Sequence, residues 1–140
     1  MRIKPISPNF IMPVHSTKGA GAFDIYMPED GSTFGFNPTV VGLGFAAEIP
    51  ENHVALLLPR SGTGFKYGVE LNNTCGVLDS DFRGEWKASI KTKNGENFSW
   101  KAGERILQFM IVPVALVELE LVDSLTDTDR GSGGFGSTGA

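Results

Sequence analysis

The fifteen residues from Trp86 to Trp100 read WKASIKTKNGENFSW, and their period decides the class of the whole chain. Trp86, Ala88, Ile90 and Thr92 alternate with Lys87, Ser89, Lys91 and Lys93, so each set lies on its own face of an extended strand. Asn94-Gly95 then supplies the pair of residues that tolerate positive φ in a tight hairpin, and Phe98 and Trp100 resume the alternation. The stretch predicts a strand, a turn and an antiparallel return strand.

The same period recurs on both sides. Val41, Leu43, Phe45, Ala47 and Ile49 predict another strand, and Val117-Glu118-Leu119-Glu120-Leu121 alternates again. Val54 to Leu58 is a short apolar run closed by Pro59, the pattern of a strand buried on both faces. Between these segments, 18 Gly and 8 Pro punctuate the chain, and no amphipathic stretch of helical period separates the strands. The expectation is an all-β sandwich or barrel with at most one short helix, capped by Ser61 and stopped at Gly68. Apolar content collapses at Ser124, which divides the chain into a β domain over 1–123 and a flexible glycine-rich tail over 124–140.

A length of 140 residues suits one domain, and 41% hydrophobic with 20% charged residues is ordinary for a soluble protein. No apolar run spans a bilayer and no signal peptide opens the chain, so a cytoplasmic location is expected, with no membrane partner. Cys75 is alone, and His15 and His53 are the only histidines, which leaves neither a disulfide nor a His/Cys metal cluster. A formal charge of −4 speaks against nucleic-acid polymers as partners. Any anionic ligand must be held by a few placed groups.

Five stretches carry residues suited to chemistry. In LPRSGTGFKYG, Leu58 to Gly68, a strand enters small residues at a helix start, where unpaired N–H groups, the Ser61 hydroxyl and the Arg60 guanidinium suit an anion; the plainer alternative is a capped turn with a surface arginine. In NTCGVLDSDFRGEW, Asn73 to Trp86, Asp79 and Asp81 are close enough in sequence to act as a general base, to hold a divalent cation, or simply to stabilise a turn. In GERILQFMIVP, Gly103 to Pro113, Glu104 and Arg105 read as an ion pair or surface pair, and Gln108 needs a backbone or ligand partner. Asp24 in AGAFDIY reads as an exposed-face acid. The tail RGSGGFGSTG, Arg130 to Gly139, reads as a linker, except that a linker needs no phenylalanine.

In this order the five stretches resemble the five motifs of the homotrimeric dUTP diphosphatase (dUTPase) family, from about Ala20 to Gly139, with PRSGTGFKYG, GVLDSDFRGE and RGSGGFGSTG the most specific. The resemblance implies a jelly-roll-like β fold, a homotrimer with active sites shared between subunits, and Mg²⁺-assisted hydrolysis of dUTP to dUMP and diphosphate. That reaction limits uracil in DNA and supplies dUMP for thymidylate synthesis. By the same resemblance, Asp79 is the catalytic carboxylate that activates water. Asn73, Gly76, Val77 and Leu78 read uracil through main-chain groups, Phe82 packs on the deoxyribose where the family usually has tyrosine, and Phe135 stacks on the base. Arg60, Ser61, Gly62, Gln108, Arg130, Gly136, Ser137 and Thr138 match phosphate-contacting or supporting positions. Asp24 has an indirect role, and Mg²⁺ is held mainly by the triphosphate and water. The tail becomes a lid. Ala22 and Leu107 depart from the family pattern in local packing. A dCTP deaminase-like enzyme and a nucleotide-switched binding module of the same fold are the alternatives.

Overall fold

The computed structural model describes residues 1–134. Over those residues the strands are β1 (Arg2–Pro5), β2 (Phe23–Tyr26), β3 (Gly31–Phe34), β4 (Thr39–Gly42), β5 (Phe45–Glu48), β6 (His53–Pro59), β7 (Val69–Leu71), β8 (Gly76–Leu78), β9 (Lys87–Thr92), β10 (Asn97–Trp100) and β11 (Arg105–Pro113). One helix, α1 (Ser61–Tyr67), joins β6 to β7. The expected all-β class with one short helix is what the chain adopts, and its sheets do not close into a barrel.

A four-stranded antiparallel sheet in the order β2-β11-β6-β8 carries Asp24, Gln108, Gly76, Val77 and Leu78, with Arg60 just past the end of β6 and Asp79 just past the end of β8. The other strands form a three-stranded sheet, β4-β9-β7, and two ribbons, β1-β5 and β3-β10. An aromatic seam joins these sheets. Trp86 lies 5.0 Å between ring centroids from both Phe45 and Phe109, and Phe109 stacks on Phe23 at 5.1 Å. The period-two reading of the opening stretch holds strictly here, since Trp86, Ala88, Ile90 and Thr92 are all buried. Thr92 satisfies its hydroxyl by donating to the Glu96 carbonyl at 2.6 Å, so a polar side chain sits in the core without an unmet hydrogen bond.

The pairing differs from the hairpin expected of that stretch. β9 is bonded to β4 along one edge and to β7 along the other, which leaves no edge for β10, and β10 pairs with β3 instead. Only Gly95 takes positive φ (+74°), while the Asn94 side chain accepts from the Glu96 N–H at 3.3 Å. The alternation from Val41 to Ile49 is likewise cut in two. Gly44 at φ +77° turns the chain, so β4 joins β9 and β5 joins β1, yet Leu43, Phe45, Ala47 and Ile49 all remain buried.

In β6, Ala55 and Leu57 are buried while Val54, Leu56 and Leu58 are half-buried, so one face rather than two is covered within this chain. Val117 to Leu121 forms no strand: Leu119 is 95% and Leu121 100% exposed, because no strand edge of the described chain lies against them. The helix begins one residue earlier than expected. Arg60, extended at φ −69° and ψ 145°, occupies the cap position without a side-chain bond, and Ser61 is the first helical residue, its hydroxyl not used for capping. Gly68 ends the helix at φ +66°, as expected. No helix among the described residues is long and apolar enough to cross a membrane.

Candidate active site

Antiparallel register brings three distant stretches into one row. Asp24 on β2 lies opposite Gln108 on β11, and Gln108 lies opposite Leu58 on β6, two residues before Arg60. Asp24 is 5% exposed, so it is not the exposed-face acid that its local sequence suggested. Its Oδ1 accepts from Arg60 Nε at 2.9 Å, and its Oδ2 accepts from Ser16 Oγ at 2.6 Å and Arg105 Nη1 at 3.2 Å. A buried carboxylate stays ionised only where such charge-assisted donors replace water.

Arg105 therefore pairs with Asp24 rather than with Glu104, whose carboxylate accepts from the Lys101 N–H at 3.1 Å. Arg60 also donates from Nη1 to the Arg105 carbonyl at 3.0 Å. Gln108 donates from Nε2 to the Pro59 carbonyl at 3.1 Å, which meets its need for a partner from the backbone.

These groups floor a cavity of about 580 Å³ lined by Asp24, Arg60, Ser61, Gly62, Lys66 and Gln108, with Ser16 and Ala20 to Ala22 along its rim. Two cations against one carboxylate make it positive although the chain as a whole is negative. Lys66 and Thr63, also in the lining, were not singled out by sequence. Lys66 lies four residues after Gly62 and three after Thr63 on α1, the same-face helical spacing that is the signal for them. Ala22 is accommodated on the rim, its carbonyl 3.1 Å from His15 Nδ1, and Leu107 is fully buried in the core.

A second cavity, about 320 Å³, is lined by Asn73, Gly76, Val77, Leu78, Asp79 and Phe82, with Leu57, Glu85 and Lys87 as its remaining wall. The turn from β7 to β8 builds it, held by Thr74 N–H to the Leu71 carbonyl at 2.9 Å and Cys75 N–H to the Asn73 carbonyl at 2.7 Å. Gly76 lets β8 lie close on β6, since a Cβ there would sit 3.0 Å from Leu57 Cβ. Beyond β8, the Phe82 N–H donates to the Asp79 carbonyl at 3.2 Å, and Arg83 Nη1 donates to the Ser80 carbonyl at 2.7 Å. This turn presents Asp79 to the cavity, while Asp81 is not part of the lining. The 42%-exposed Phe82 ring rests against Gly84.

The two cavities share no lining residue. Leu78 pairs with Ala55, so Asp79 falls level with position 54 of β6, whereas Arg60 lies beyond the opposite end. From position 54 to position 60, an extended strand covers roughly 20 Å. Arg130 is exposed, and its Nε donates to the Gly133 carbonyl at 3.0 Å. Phe135, Gly136, Ser137 and Thr138 lie outside the described residues. Among the described residues, no three His, Cys, Asp or Glu side chains group as a metal site.

Comparison with known proteins gives one answer. The dUTPase family matches residues 8–139. The chain is 40% identical over 139 residues to the deoxyuridine 5'-triphosphate nucleotidohydrolase of Nautilia profundicola, covering 99% of this chain and 98% of that one. It is 42% identical over 132 residues to the enzyme of the same name from Rhizobium rhizogenes, covering 91% of this chain and 85% of that one. Among solved structures, the dUTPase of Staphylococcus bacteriophage 80alpha, determined with dUPNHPP, superposes with a TM-score of 0.91 at 27% identity, covering 99% of this chain and 98% of that one.

Proposed function

The chain belongs to the dUTPase family and hydrolyses dUTP to dUMP, and we propose that it does so with uracil and deoxyribose in the Asp79 cavity and the phosphates in the Arg60 cavity of another copy. The observation that carries this reading is the division of the surface into a cationic cavity lined by Arg60 and Lys66 with Asp24, and a second lined by Asp79 and Glu85 with Lys87. Asp79 accepts a proton from water as the water oxygen attacks the α-phosphorus. The bond from that phosphorus to the α,β-bridging oxygen breaks, and diphosphate leaves. Arg60, Lys66, Ser61 and Gln108 hold phosphate oxygens from one side. Arg130, Gly136, Ser137 and Thr138 of the tail close over them, and Phe135 stacks on the base. The backbone of Asn73 and Gly76 to Leu78 presents the donors and acceptors that fit uracil and mismatch cytosine. The Phe82 ring against the sugar disfavours a 2′-hydroxyl by shape.

Both Asp24 oxygens are already taken by Arg60, Arg105 and Ser16, so Asp24 does not fit as a direct metal ligand. The exposed Asp79 and Asp81 carboxylates fit contact with the water shell of a Mg²⁺ carried by the triphosphate. When bound, Mg²⁺ supplies neutralisation of the phosphate charge.

The spacing within one chain supports a shared site. A triphosphate with its α-phosphorus at Asp79 does not reach Arg60 roughly 20 Å away along β6, so another subunit must supply the cationic cavity. The exposed apolar side chains of Leu116, Val117, Leu119, Leu121 and Leu125 support the trimer, because a subunit surface would bury what a lone chain leaves in water. The name of the two curated relatives is that of a hydrolase, and nothing in the site favours deamination or a binding-only switch.

Incubating the protein with dUTP and Mg²⁺, with dCTP and UTP in parallel, tests the reading. The expected result is dUMP and diphosphate from dUTP, with the other two turned over roughly 100-fold or more slowly. Equal turnover of dCTP would remove the uracil assignment. A sharper test is Gly62→Ala. A Cβ at Gly62 meets nothing within 4 Å, so the fold tolerates it, but the methyl enters the phosphate cavity. KM for dUTP rises roughly tenfold while the melting temperature stays level or increases slightly. An unchanged KM would place the phosphates elsewhere.

A further inference from the structure

Arg60 is held so tightly that its orientation must come from its neighbours. Its Nε is committed to Asp24 and its Nη1 to the Arg105 carbonyl, which leaves Nη2 as the corner of the guanidinium fork without a partner among the described residues. The carboxylate that fixes it is itself fixed from the other side. Ser16 Oγ donates to Asp24 Oδ2 at 2.6 Å and accepts from Arg105 Nη1 at 3.3 Å, closing a ring of three side chains to which Arg60 is joined through Asp24.

Each supporting member is pinned independently. Val14 and Asp24 exchange backbone hydrogen bonds at 2.8 and 3.2 Å, and the His15 ring packs tilted by 35° against Phe23 with centroids 3.7 Å apart, which holds Ser16 close to β2. The Arg105 guanidinium lies 5.6 Å over the Tyr26 ring.

We propose that Ser16 and Arg105 are positioning residues which, acting through Asp24, aim the Nη2 corner of Arg60 into the phosphate cavity. The proposal rests on the assignment of Arg60 to phosphate. Without the Ser16 hydroxyl, Asp24 Oδ2 loses its shortest donor and the carboxylate can rotate, carrying the Arg60 fork with it. Arg105 reaches both Ser16 and Asp24 from Nη1 while its planar guanidinium lies over the Tyr26 ring, an arrangement that a lysine ammonium does not reproduce.

Binding of α,β-imido-dUTP and of dUMP to the purified full chain, measured by calorimetry, separates positioning from structure, since dUMP keeps the α-phosphate but lacks the β- and γ-phosphates that this ring serves. Ser16→Ala weakens the imido-triphosphate roughly tenfold and leaves dUMP affinity unchanged. Ser16→Thr, which keeps the hydroxyl, restores triphosphate affinity, and Arg105→Lys reproduces the loss. The proposal is overturned if Ser16→Ala binds the imido-triphosphate like the parent protein, or if it loses dUMP and triphosphate affinity equally. Arg60→Ala is the control for the underlying assignment. If it keeps full triphosphate affinity, the phosphate role of Arg60 falls and the proposal with it; if it loses affinity while Ser16→Ala does not, only the positioning role falls.

Discussion

Asp79→Asn lowers kcat for dUTP roughly 10²–10⁴-fold, with little change in KM. Asparagine matches aspartate in shape and hydrogen-bonds to water, but it does not accept a proton from the attacking water at neutral pH. The side chain is exposed at the rim of its cavity, and the turn around it is held by backbone bonds from Phe82 and by Arg83 rather than by the carboxylate. The variant should therefore fold, assemble and melt like the parent protein. Stopped-flow turnover with Mg²⁺, alongside binding of α,β-imido-dUTP, gives the two readouts. Full activity in this variant would reassign the base, with Asp81 the next carboxylate in sequence.

Removing Arg130 to Ala140 lowers kcat/KM by roughly 10²–10³-fold or more, because it takes away a guanidinium, three hydroxyls, several backbone N–H donors and the ring assigned to the base. Stability should not follow. Arg130 is exposed and, among the described residues, bonds locally to Gly133, and the glycine-rich composition offers little to a core. Melting temperature and sedimentation of the truncated chain, set against its turnover, decide the matter. A truncated chain that dissociates or melts early would make the tail a structural clasp instead of a lid.

Much of this was written locally. The faces of β9 followed from a period of two, because burial of alternate side chains does not depend on which strand lies alongside. The end of α1 at Gly68 followed from left-handed backbone. The expected hairpin at Asn94-Gly95 does not form, for the complementary reason: turn residues permit a reversal, but partners are chosen by which edges are free, and β4 and β7 take both edges of β9. Val117 to Leu121 shows the same limit, since an alternating segment becomes a strand only where another edge accepts it.

The candidate site divides in the same way. Chemical types and spacing were legible for Arg60, Ser61, Asp79 and Gln108, since each belongs to a short motif whose order along the chain is informative. Asp24 looked like a surface acid and Arg105 like the partner of its neighbour Glu104, because sequence proximity was the only guide. The register of β2 on β11 reversed both readings, burying Asp24 between two arginines and Ser16.

Sequence alone thus determined the class of fold, the strand faces and the residues able to do chemistry, since these depend on period, backbone tolerance and functional groups. Tertiary structure alone decided which edges pair, that Asp24 is an internal anchor, and that the two cavities of one chain stand apart along β6. Those depend on contacts between residues far apart in the chain, where burial makes a charge seek the nearest donors in space rather than in sequence.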